Sequence, residues 1–81
     1  MFEVYLTAFP APRREHIERI VHKHNRAMSH HDYATLVSRV QAGEPQRIAS
    51  FVEEHAAANV VAELHYQKAS GEIRPTGTSA A

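Results

Sequence analysis

The chain has 81 residues, nine basic and nine acidic side chains, seven histidines and no cysteine. That length holds one domain, and the missing cysteine excludes disulfides and thiolate metal sites. A formal net charge of zero argues against a general nucleic-acid binder, whose affinity comes from many unmatched Lys and Arg contacts to phosphate.

Residues 2–7 alternate with period two and place Phe2, Val4 and Leu6 on one face, which predicts a strand. Pro10 and Pro12 break it and lead into a helix. Ile17, Ile20, Val21 and His24 form the stripe of that first helix. Residues 25–28 connect it to a second. Ser29 is the expected N-cap, with Asp32 three residues on. Tyr33, Leu36, Val37 and Val40 make the second stripe, and Gly43 closes the helix. Pro45 then reads as the first residue of a third helix with the stripe Ile48, Phe51, Val52 and His55, ending at 56–59. Residues 60–67 alternate and read as a strand. Residues 72–74 add a short third strand, and 75–81 are small and polar.

The fold class these elements predict is α+β: a small open two-layer sandwich of order β-α-α-α-β with a short third strand. The expected domain is 1–68, followed by a turn and tail over 69–81. So thin a sheet is marginal alone, which makes a homodimer, formed by extending the sheet, the expected assembly. No basic start with an apolar signal segment is present, and no apolar run approaches the ~20 residues that span a bilayer. The expectation is a complete, soluble, cytoplasmic chain with no membrane partner.

The run from Phe2 to Thr7, Ile17 with Ile20, Met28 with Leu36 and Val37, and the alanine-rich acidic segment beyond resemble the C-terminal domain of the bacterial ribosomal stalk protein. The related fold of the Clp-protease N-degron adaptor is similar as well, around Met28, Ser29, His30, His31, Asp32, Tyr33 and Ala34. The resemblance covers residues 2–67. It implies a fold and a protein- or peptide-binding surface on the first two helices, where Arg13 and Ile17 fit the face that meets translation factors. Arg19 and His22 complete the expected peptide-binding set. There are departures. Glu18 and Val21 stand where the stalk domain has basic residues, and residues 40–45 are too short for the strand it places before its third helix. Residues 8–11 replace the adaptor's acidic motif.

Histidine is the one other unusual feature. Five of the seven lie between positions 16 and 31, and histidine is the side chain most able to exchange protons near neutral pH. His30 and His31, at a helix N-terminus that disfavours imidazolium, would be neutral bases beside Arg26 and the Tyr33 hydroxyl. These four are the candidate catalytic residues of a second reading. In it the chain is a cofactor-free enzyme that matures a ribosomally made peptide antibiotic, for example by lysinoalanine-type cross-linking, with a histidine as general base. No HExxH motif, nucleophile elbow or phosphate loop is present, so no metal or cofactor is expected. The first reading is a non-enzymatic module binding a peptide or protein partner.

Overall fold

The computed structural model describes residues 1–76. The order is β1 (Phe2–Ala8), a single 3-10 turn (Ala11–Arg13), α1 (Arg14–His24), α2 (His30–Gln41), β2 (Gln46–Phe51), α3 (Glu54–Tyr66) and β3 (Ser70–Pro75). The sheet runs β2-β1-β3, with β1 antiparallel to both neighbours. Three helices cover one face, so the α+β two-layer class predicted above is the observed one. No helix among the described residues is long and apolar enough to cross a membrane.

The first 44 residues fold as their pattern dictates. Val4 and Leu6 are fully buried on the helix side of β1. Ile17, Ile20 and Val21 seat α1, and Tyr33, Leu36, Val37 and Val40 seat α2. Ser29 caps α2 by accepting the Asp32 amide at 3.1 Å. At the other end Gly43 turns left-handed (φ 96°). Its amide reaches Val40 O at 3.0 Å and that of Glu44 reaches Arg39 O at 2.9 Å. These are the two bonds of a Schellman ending.

Residues 45–67 correct the sequence reading. The segment after Pro45 is strand β2, not a third helix, and residues 60–67 lie in α3, not in a strand. The order is therefore β-α-α-β-α-β. The physical reason is a bulge. Val4 pairs with Ala49 and Tyr5 with Arg47, so Ile48 is an extra residue. Both Ile48 and Ala49 are buried. Two adjacent inward residues break the period of two, and Ile48, Phe51 and Val52 then mimic a helix stripe. In α3 the true stripe is Ala57, Val60 and Leu64, spaced by three and four, with Val61 partly buried beside it.

β3 is longer than the short strand expected at 72–74 and is fully part of the sheet. The folded unit therefore runs past residue 68. The last residues of the predicted tail, 77–81, lie outside the described residues. Gly71 is required where β3 crosses α3: a Cβ there would stand 2.7 Å from Leu64 Cδ1 and 3.2 Å from Tyr5 O. α3 ends as α2 does, with Lys68 rather than glycine in the left-handed position (φ 66°) and the Ala69 amide on Leu64 O at 2.8 Å.

Both outer strands are blunted. Met1 and Thr76 bond to each other through their backbones at 2.8 and 3.1 Å. The next pair, Phe2 with Pro75, is therefore a non-bonded one whose nitrogen faces outward. Proline has no N–H to offer there, which weakens β3 as a template for another chain. On β2 the carbonyl of the bulged Ile48 is taken by the Asn25 side chain, which also reaches Val21 O at 3.3 Å. The connection after α1 is thus stitched to the sheet.

Candidate functional site

Helix α1 carries two faces. Ile17, Ile20 and Val21 point into the core. On the opposite side Glu15, Glu18, Arg19, His22 and Lys23 recur at spacings of three and four, and Arg26 follows just past the helix end. With Tyr33 of α2 these residues line an open groove of about 510 Å³.

The charges in this groove are unevenly satisfied. Glu18 is held by Arg14 at 3.1 Å and Lys23 by Glu63 at 3.0 Å. Arg19 reaches Glu15 only at 4.0 Å, with both side chains largely exposed. Arg26 has no ion pair or side-chain hydrogen bond among the described residues. The acids lie towards the N-terminal end of α1 and the cations towards its C-terminal end, where the helix dipole favours positive charge.

Aromatic rings form the middle of the groove. His22 stacks on Tyr33 with centroids 6.0 Å apart and planes 26° from parallel. The Tyr33 hydroxyl is buried and makes no hydrogen bond. Burial pushes its pKa up; the backbone of His22, near the oxygen without forming a bond of good geometry, opposes this, and the Glu18 carboxylate adds to it. An unsatisfied buried hydroxyl costs about 1–3 kcal/mol, so this tyrosine is held in place by the packing of its ring.

The sequence candidates separate. Of the expected peptide-binding residues, Arg19 and His22 line the groove. Ile17 is 0% exposed and cannot touch a partner. Its helical spacing already put it on the core stripe. Arg13 turns away to Gln67, at 3.4 Å. Of the candidate catalytic residues, Arg26 and Tyr33 belong to this groove, but the tyrosine hydroxyl is sealed from it. His30 is exposed at the start of α2. His31 lines a second groove of about 390 Å³ on α2, with Thr35, Ser38, Arg39 and Glu44. Arg26 and Tyr33 thus share one groove while His31 lines another. Glu15 and Lys23 are groove residues that the sequence reading passed over, although their spacing from His22 and Arg19 was visible.

The remaining histidines are dispersed. His24 lies against Phe51, edge to face at 5.8 Å, with Nε2 buried and unpartnered. Burial lowers its pKa; Glu63 opposes the shift and Lys23 adds to it. His55, expected on an apolar stripe, is exposed and sits 3.1 Å from Glu53. His65, expected on a strand surface, is exposed on α3. No group of three or more His, Asp or Glu among the described residues is placed to hold a metal ion.

Comparisons with models of known protein families, with curated proteins and with solved structures give no match.

Proposed function

We propose that the chain is a small protein- or peptide-binding module whose binding surface is the α1 groove, and that its ligand is a segment carrying acidic side chains. The observation that carries this reading is the Arg26 guanidinium, exposed at the rim of the groove without a partner among the described residues and close in sequence to the His22–Tyr33 stack. A carboxylate can take two parallel hydrogen bonds from a guanidinium, and a flat side chain can lie on the exposed His22 ring. Arg19, only loosely tied to Glu15, supplies a second cation. In this reading the histidine excess has no catalytic role, because His31 lines the α2 groove and the Tyr33 hydroxyl is buried.

The test is fluorescence anisotropy with a labelled peptide of alternating glutamate and phenylalanine, against its glutamine counterpart. The glutamate peptide should bind at least about tenfold tighter, and Arg26→Glu should remove that preference, a difference of about 1.4 kcal/mol. Arg13→Glu, outside the groove, should leave it intact. Equal binding of the two peptides, or no effect of Arg26→Glu, would reject the reading.

A further inference from the structure

The groove residues follow one another along the chain in a particular order: Glu15, Glu18, Arg19, His22, Lys23, Arg26. The order is acid, acid, cation, histidine, cation, cation. Its midpoint lies between Ile20 and Val21, and reversal about that point exchanges acids for cations. A two-fold axis over the middle of α1 would set Glu15 opposite the partner's Arg26, Glu18 opposite the partner's Lys23 and Arg19 opposite the partner's His22. A surface that is complementary to its own reversed copy is what an isologous contact requires.

We infer that the α1 face is a self-association surface, and that two copies of this chain pair through antiparallel α1 helices. The unpartnered Arg26 then finds the partner's Glu15, and the strongly exposed Glu15 exchanges a 4.0 Å contact with Arg19 for a closer one. The sheet edges are less favourable, because Pro75 removes a donor from one and Asn25 occupies the bulge carbonyl on the other. One short helix face buries less than the roughly 1,600 Å² of a standard interface. The pair is therefore weak, with a Kd on the order of 100 µM, and it loosens with salt because its contacts are exposed ion pairs.

The regulatory consequence rests on the peptide-binding reading. The dimer covers the same Arg19, His22 and Arg26 that would hold an acidic segment, so self-association and ligand capture exclude each other. Dilution or a rise in salt frees the groove.

Charge reversal tests the register directly. Sedimentation velocity of the wild type at low salt, over about 10 µM to 1 mM, should show the average mass rising above 9.1 kDa. Glu15→Arg and Arg26→Glu should each be monomeric alone, since each sets like charges opposite one another twice. Mixed in equal amounts, the two variants should associate, because both cross-pairs are then opposite in sign. The rescue also shows that both variants are folded. A wild type that stays at monomer mass at 1 mM, or a mixture that fails to associate, overturns the inference. The peptide readout separates the two proposals: a wild type that binds the glutamate peptide but stays at monomer mass at about 1 mM removes the dimer and leaves the binding reading standing. A wild type that dimerises but ignores that peptide leaves the dimer standing and removes the binding reading.

Discussion

The outer face of the sheet and the outer face of α1 are both charged, and they treat their charges differently. On the sheet, Glu3 holds Arg47 at 2.6 Å, Glu72 holds Arg74, and the Arg74 guanidinium lies 4.1 Å above the Tyr5 ring. Every one of these groups is answered within the sheet, across strands for Glu3, Arg47 and Tyr5 and along β3 for Glu72 and Arg74. On α1, Arg26 is unanswered, Arg19 is loosely answered and the Tyr33 hydroxyl beneath is unsatisfied. Both faces mix acids with cations. What distinguishes them is whether the local geometry uses its own charges up, and only the face that does not is available to something else.

This contrast can be broken from the sheet side with the largest effect. Gly71→Val should lower the free energy of unfolding by about 1–3 kcal/mol, because the new side chain meets buried Leu64 and the Tyr5 carbonyl. Urea denaturation followed by circular dichroism checks it; an unchanged midpoint would mean that β3 and α3 are less closely packed than described. On the α1 side the opposite sign is expected. Tyr33→Phe removes an unsatisfied hydroxyl and keeps the ring, so stability should rise by about 1 kcal/mol. A loss of stability would show that the hydroxyl has a partner.

A smaller effect should appear with pH, beneath α1 rather than on it. The folded pKa of His24 lies below its unfolded value, chiefly through burial. The stability it lends is therefore present above the ordinary histidine pKa of about 6.5 and is lost as pH falls through the depressed folded value. His24→Leu should flatten the fall in urea midpoint between neutral and mildly acid pH, and an unaltered slope would assign the fall to other groups. The smallest effect belongs to the satisfied sheet charges. Glu3→Gln should cost no more than about 1 kcal/mol and should lose most of its effect in high salt, as measured by thermal melts.

Much of the architecture was legible in the sequence wherever the apolar period was clean. Phe2 to Leu6, the stripe of α1 and the Ser29 cap each declared a single kind of element, and each formed as declared. The stretch after Pro45 did not. There the bulge at Ile48 erased the alternation of a strand, while Val60, Ala62, Leu64 and Tyr66 supplied an accidental alternation inside a helix. Length arbitrates such cases, since 54–66 is long for a strand, but both periods were present in the letters. The site was legible in part. Arg19, His22 and Arg26 could be named from sequence, whereas Ile17 was misplaced by resemblance against its own helical spacing. The grouping of His30 and His31 with Arg26 and Tyr33 failed because adjacency along the chain was taken for adjacency across the loop between α1 and α2. Within α2 alone, Tyr33 lines the α1 groove while His31 lines the other one.

The central strand of the sheet is also the first in chain order. During synthesis β1 leaves the ribosome long before β2, and β3 follows later still, some 70 residues behind it in sequence. The strand that pairs with both of the others therefore waits, unpaired on both sides, until nearly the whole domain has been made. Loop closure of that length slows folding relative to a fold built from neighbouring hairpins. The alternation of Glu3, Tyr5 and Thr7 with Phe2, Val4 and Leu6 keeps the waiting segment half polar, which is the protection a nascent strand can carry within itself.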